Sequence, residues 1–266
     1  MSSAKTRLDV ALTARGLFET RTLAQDAIKD GYVKVNGTTV VKSSYVLKEE
    51  DTIEVLHREL QFASRAGFKL YGALVDFGID LNGRIIADIG ASTGGFSDVC
   101  LKEGAKHVYA IDVGSNQLLP RLRDDPRITN LEQVNCRYLD RSYFTEFPDF
   151  ACVDVSFISL KLILPALLSV LCGEQEMLLL VKPQFEAGKA DIGKNGIVKN
   201  KKVHIRILRE MMAFIQSLGL SVQHLDISSI AGRDGNREYV LHVSKRCAQH
   251  DFDLKQIVEK KIENRW

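Results

Sequence analysis

Apolar residues along this chain change their period several times, and each change marks an element. Between residues 7 and 17, Leu8, Ala11 and Leu12 recur at helical spacing, with Gly16 as the stop. Thr20 is placed to cap a second helix that turns Leu23, Ala24, Ala27 and Ile28 inward and ends at Gly31. The period then falls to two. Tyr32, Val33 and Val35 lead into Asn36-Gly37, a strong hairpin signal, and residues 38–41 return. Val46 and residues 52–55, around an acidic turn at 48–51, complete a small α+β unit near residue 56.

After a short polar connection the pattern becomes strand–helix alternation. Ser64 is placed to cap a helix with Phe68, Tyr71, Leu74, Val75 and Phe77 at helical spacing, closed by Gly78. Lys69, taken alone, reads as an ordinary exposed lysine of that helix. Apolar strands are predicted at 85–89, 107–111, 151–153 and 177–181 and a further strand near 131–134, with helical segments at 96–101, 117–123, 160–171 and 203–218. Pro165 marks either a start or a kink within the third of these. Gly219 closes the last helix, and two strands, 221–227 and 239–243, flank a polar turn at 232–238. The expected class is α/β, with a mainly parallel sheet covered on both faces and ligands beyond the carboxyl ends of its strands. The expected division is residues 1–58, a linker at 59–63, and residues 64–266.

Composition narrows the class without naming a partner. The 266 residues are 45% hydrophobic and 26% charged, with a net charge of +2, values of a globular protein that neither require nor exclude nucleic acid. The longest apolar stretch, residues 162–172, contains a proline and a serine and falls short of the ~20 residues of a membrane span. No basic-apolar leader opens the chain, so a cytoplasmic location is expected. Five dispersed cysteines read as reduced thiols, and the six histidines form no metal-ligand spacing, so no metal is expected.

The candidate chemistry begins at the turn after strand 85–89. Asp88 precedes Gly90-Ala91-Ser92-Thr93-Gly94-Gly95-Phe96, where Gly90, Gly94 and Gly95 can take positive φ and carry no Cβ to hold a ligand off. The spacing is neither a dinucleotide fingerprint nor a phosphate loop, which would need a lysine. Asp112 ends the next strand 22 residues after Gly90, where an acid can hold a ribose diol. Asp154 and Lys182 also stand at the carboxyl ends of apolar strands. Together they could orient and deprotonate a weakly acidic hydroxyl, and a lysine serves as base only if burial or a nearby cation lowers its pKa.

These residues carry a resemblance. Asp88, the glycine turn through Phe96, and Asp112 resemble the adenosylmethionine-binding edge of class I methyltransferases, with Asp154 also at that edge. Lys69, Asp154, Lys182 and Glu238 match, in order and context, the Lys-Asp-Lys-Glu set of FtsJ-like ribose 2′-O-methyltransferases. The run from Arg7-Leu8-Asp9 through Gly16-Leu17, Arg21, Ala24, Ile28, Gly31 and Val35-Asn36-Gly37 resembles the RNA-binding domain of ribosomal protein S4. The combination is similar to the TlyA, or haemolysin A, family of ribosomal RNA methyltransferases. It implies a Rossmann-like class I domain behind an S4-like domain, S-adenosyl-L-methionine as cofactor, and ribosomal RNA or ribosomal subunits as partner, with a cytidine ribose as acceptor. It also implies RNA contacts through Arg7, Arg15, Arg21, Lys29 and Arg65.

Charge alone would not have shown an RNA surface, because residues 1–58 hold nine basic and eight acidic residues. The acids, however, crowd between Glu49 and Glu54, leaving a basic face available on the helices. Base methylation on nitrogen would show an Asn/Asp-Pro-Pro-aromatic turn where this chain has Asp154-Val155-Ser156-Phe157. A cysteine nucleophile would need a thiol on the rim, whereas Cys152 lies inside its strand. A pore-forming haemolysin would need a spanning or amphipathic pore segment. A catalytically silent RNA-binding module stays open until activity is assayed.

Overall fold

The computed structural model describes residues 6–18, 20–29, 31–55, 62–193, 196–232, 235–245 and 250–262. The chain divides into two compact units, Met1–Arg65 and Ala66–Trp266. Most of the expected linker at 59–63 lies outside the described residues.

The first unit runs β1 (Thr6–Arg7), α1 (Leu8–Ala14), α2 (Arg21–Lys29), β2 (Val33–Val35), β3 (Thr38–Thr39), β4 (Val46–Leu47) and β5 (Ile53–Val55). Thr20 caps α2 by accepting the Leu23 amide at 3.2 Å. Asn36 and Gly37 both take left-handed φ, 52° and 76°, which matches the twist of the flanking strands. β2 pairs antiparallel with both β3 and β5, and β1 pairs with β4. Leu8, Leu12, Ala24, Ile28, Val33, Val35 and Leu47 form the core. One charged residue joins them: Asp9 is fully buried. Arg7, Arg21 and Gln25 converge on its carboxylate at 2.7–3.0 Å. The Arg7 bond leads in holding its pKa well below the usual carboxylate range.

The second unit begins with α3 (Gly67–Phe77) and β6 (Ile85–Ile89), followed by α4 (Gly95–Lys102), β7 (His107–Ile111), α5 (Pro120–Arg123) and β8 (Ile128–Leu131). It continues through β9 (Phe150–Val153), α6 (Leu164–Val170), β10 (Glu176–Val181), α7 (Pro183–Glu186) and α8 (Lys201–Ser217). β11 (Ser221–Ile227), β12 (Tyr239–Ser244) and α9 (Leu254–Glu259) complete it. The seven strands lie in the order β11-β12-β10-β9-β6-β7-β8. β12 pairs antiparallel with β10 and β11, and the other pairings are parallel. β9 and β10 are buried along their whole length, as central strands covered on both faces must be. Apolar stripes of α6 (Leu164, Leu167, Val170) and α8 (Val203, Ile207, Met211, Ile215) share one core with these strands. The strand order reverses beside β6, so the carboxyl ends of β6, β7, β9 and β10 are where a ligand is expected.

Several local expectations are corrected. Ser64 does not stand at the N-cap of α3: the helix starts at Gly67, and Ala66, which precedes it, already has helical angles and makes no side-chain cap bond. A serine three residues ahead of the first helical residue is too far back to reach the first free amides. The buried face of α3 is Leu70, Ala73 and Leu74 together with Lys69, while Val75 is 55% exposed. The edge strand is 128–131 instead of 131–134. Its register is set by pairing of Val108 with Ile128, and Gln133 at φ 60 turns the chain away before Val134. Pro165 sits in the first turn of α6, so the helix starts there without a kink.

Candidate active site

The turn after β6 is forced into close approach. A Cβ on Gly90, which has φ 87, would lie 2.6 Å from the backbone oxygen of Asp154. Glycine at 90 therefore lets the β6 turn lie directly against the end of β9. Gly94, at φ 93, would drive a Cβ into Leu118 and Leu122. The other left-handed residue is Ser92, at φ 48, whereas Gly95 is the first residue of α4. Ala91, Thr93 and Phe96 are buried and Ser92 is exposed.

Asp112 faces this turn from the end of β7. Its carboxylate accepts the Ser92 amide at 2.9 Å and the Gly114 amide at 2.7 Å, so the two strand ends are joined through one acid. Glu132, just past β8, accepts the amides of Asn116, Gln117 and Leu118 at 2.6–3.4 Å. It thereby shapes the adjoining loop, a role that no sequence motif announces.

Asp88 is fully buried. The Ser97 hydroxyl donates to one of its oxygens at 2.6 Å, and the other has no hydrogen-bond partner among the described residues. Burial outweighs the Ser97 bond and pushes its pKa up to about 7. An acid raised on folding stabilises fully below its unfolded pKa and loses that contribution as pH rises through its folded value. The thermal-stability gain from Asp88→Asn should therefore grow from about pH 4 to about pH 7 and then level. Melting curves with a gain independent of pH would contradict this origin.

Beside the turn four side chains meet. Lys69 (8% exposed) comes from α3, Asp154 follows β9, Lys182 (7%) follows β10, and Glu238 (3%) precedes β12. Lys182 Nζ lies 2.5 Å from Asp154 Oδ1, and Lys69 Nζ lies 3.5 Å from Oδ2 of the same carboxylate and 2.7 Å from Glu238 Oε2. The four form one chain of alternating charge. Burial opposes the Lys69 ammonium, yet Asp154 and Glu238 outweigh it and raise its pKa. Burial likewise opposes the Asp154 carboxylate, and Lys69 and Lys182 outweigh it and lower its pKa. Two neighbours missed from sequence complete the arrangement. Lys182 donates to Ser156 Oγ at 3.0 Å, and a Cβ on Gly232 would collide with the Glu238 carboxylate.

The 155–160 turn is clasped to α7, because Glu186 accepts the Ser159 hydroxyl at 2.6 Å and the Leu160 amide at 2.8 Å. Phe157 takes left-handed φ (64°) and is 91% exposed, with its ring 5.0 Å from that of Phe185. Cys152 is buried inside β9 and burial holds its thiol well above the ordinary pKa, so it offers no thiolate to a substrate.

The profile of the FtsJ-like methyltransferases matches residues 62–245, and the S4 domain profile matches residues 6–53. The chain belongs to the FtsJ-like methyltransferase family. It is 45% identical over 244 residues to YqxC of Bacillus subtilis, spanning 91% of this chain and 87% of that protein. It is 38% identical over 238 residues, 89% of each chain, to TlyA of Mycobacterium tuberculosis, named as a 16S/23S rRNA (cytidine-2′-O)-methyltransferase. A solved structure from Streptococcus thermophilus superposes with a TM-score of 0.77 at 43% identity, covering 96% of this chain and 94% of that one. The mostly parallel sheet is thus the methyltransferase fold of this family, behind an S4 domain.

The FtsJ-like site fits the cofactor of that fold. Adenosylmethionine carries positive charge and a ribose diol; the turn offers a close-approach glycine at 90 and the facing acid Asp112, and the buried acid Asp88 precedes it in β6. In the S4 domain, Arg15 and Lys29 are exposed. Arg7 and Arg21 are drawn to Asp9 with about half of each side chain still exposed. Arg65, the last residue of the first unit, is half-buried. No helix among the described residues is long and apolar enough to cross a membrane.

Proposed function

We propose that the chain transfers a methyl group from S-adenosyl-L-methionine to a ribose 2′-hydroxyl of ribosomal RNA, a cytidine by likeness to its TlyA relative. One observation carries this reading. The backbone oxygen of Asp154 stands where a Cβ on Gly90 would fall, and its carboxylate pairs with Lys182, so a single residue lies between the turn suited to a methyl donor and a buried amine suited to an acceptor.

A ribose hydroxyl is a weak acid and must lose its proton as it attacks. When bound, adenosylmethionine supplies a methyl group on a sulfonium sulfur. Lys182 would accept the hydroxyl proton, which would free the oxygen's electron pair to bond the methyl carbon while the carbon–sulfur pair leaves with the neutral thioether. Asp154 orients Lys182, and Lys69 is held cationic by Asp154 and Glu238, where it balances the negative charge building on the acceptor oxygen. Asp88, the turn Gly90–Phe96, Asp112 and Asp154 hold the cofactor. Arg7, Arg15, Arg21, Lys29 and Arg65 contact RNA phosphates, and exposed Phe157 offers a stacking surface for a base beside Lys182.

The test is to map ribose methylation in ribosomal RNA from cells with and without this protein. A 2′-O-methyl mark that disappears with the protein supports the reading, and an unchanged methylation map overturns it. Asp112→Ala should weaken adenosylmethionine binding by about 1.5–3 kcal/mol, the loss of a charged acceptor. Calorimetry giving wild-type affinity in a folded variant would remove Asp112 from the site.

A further inference from the structure

We propose that Ser156 is a positioning residue for Lys182, holding the amine through a hydroxyl able to pair with it in both protonation states; this rests on the reading of Lys182 as the base. The two lysines of the site have different company. Lys69 lies between two carboxylates, Asp154 and Glu238, which only accept hydrogen bonds when ionised and so hold it as ammonium. Lys182 has one carboxylate oxygen at 2.5 Å and one hydroxyl at 3.0 Å. A hydroxyl accepts from an ammonium and, after rotating, donates to the lone pair of a neutral amine. A base has to pass between those two states in every cycle, and Ser156 accommodates both.

The placement of Ser156 is built into the fold. It sits on the clasped 155–160 turn, one residue before the left-handed Phe157, and the Glu186 clasp holds that turn to the helix that directly follows Lys182. Backbone strain of this kind persists where its surroundings impose it, and it clusters at functional sites. Ser156 is exposed whereas Lys182 is nearly buried, so the hydroxyl stands between the amine and the side from which an acceptor arrives. Among the described residues, the charged or polar groups facing Lys182 are Asp154 after β9 and Ser156 in the turn. Lys69 of α3 and Glu238 before β12 lie across Asp154, and the Phe185 ring of α7 lies 5.9 Å away. An ammonium has three N–H bonds. One is donated to Ser156 and the charge is balanced by the Asp154 carboxylate, which leaves N–H directions open to the acceptor oxygen.

The experiment compares Ser156→Ala, Ser156→Thr and Ser156→Asp with Lys182→Ala, by single-turnover methyl transfer against pH and by NMR titration of the lysine side-chain amines. Ser156→Ala should lower the plateau rate roughly 10- to 100-fold, the weight of one charge-assisted hydrogen bond. It should also move the rising limb to lower pH, because the bond the hydroxyl accepts from the ammonium is charge-assisted and stronger than the one it donates to the neutral amine. Ser156→Asp should move that limb to higher pH by about one unit or more, since a second carboxylate locks the amine in its charged form. Ser156→Thr should retain the wild-type limb, and cofactor affinity should be unchanged in all three. Wild-type limbs and amine titrations for Ser156→Ala and Ser156→Asp, with Lys182→Ala inactive, would overturn the role of Ser156 while leaving the base assignment standing. A wild-type rate for Lys182→Ala would overturn both.

Discussion

Lys182→Ala should abolish methyl transfer while leaving the fold and cofactor affinity nearly intact. Loss of a general base typically costs 10²–10⁴-fold, and the loss of orientation at the acceptor adds to it. The variant leaves Asp154 with Lys69 alone, so the carboxylate stays paired and the strand ends stay together. Lys69→Ala should be severe for a different reason. It removes the cation shared by Asp154 and Glu238, so both negative charges then act on Lys182 and favour its ammonium form. Residual activity of Lys69→Ala should therefore recover as pH rises, whereas Lys182→Ala should show no such recovery. Single-turnover transfer measured from about pH 6 to pH 10 separates the two; a near wild-type rate for Lys182→Ala would refute the base assignment.

Removal of residues 1–58 should spare cofactor binding and abolish methylation of ribosomal RNA. The residues that build the site all belong to the second unit, from Lys69 through Glu238, so the reaction centre does not need the S4 domain for its own geometry. That domain instead presents the exposed cations Arg15 and Lys29 and the half-exposed Arg7 and Arg21. RNA binding by the full chain should weaken steeply with salt, because each phosphate contact releases counterions, and the slope should fall when the domain is removed. A truncated protein that methylates its RNA at the full-length rate would end the targeting role.

Much of this was legible along the chain because the forces concerned are local. The Asn36-Gly37 hairpin, the Thr20 cap and the apolar runs of β6, β9 and β10 each depend on a few neighbouring residues, whereas Pro165 left a helix start and a kink both open. Strand tips then placed Asp112, Asp154 and Lys182 on one rim, since parallel strands share their carboxyl ends. The quartet with Lys69 and Glu238 was recognisable only through resemblance to a family motif.

Tertiary structure decided the rest. Lys69 reads as an exposed helix residue until α3 packs with its Leu70–Ala73–Leu74 face inward, which carries Lys69 into contact with Glu238 far along the chain. The register of β8 follows from pairing with β7 and places the strand at 128–131, ahead of the expected 131–134. No pattern in the sequence placed Asp9 in the core, where Arg7, Arg21 and Gln25 close around it. Ser156 appeared in the sequence only as part of the stretch after Asp154, because its role exists only once the turn after β9 and the helix after β10 are clasped together. Periodicity and turn chemistry act over a few residues, so the sequence by itself determined the elements and their ends. Which charge is buried, and against which partner, depends on groups brought together from distant parts of the chain, and only the folded sheet brings them within reach.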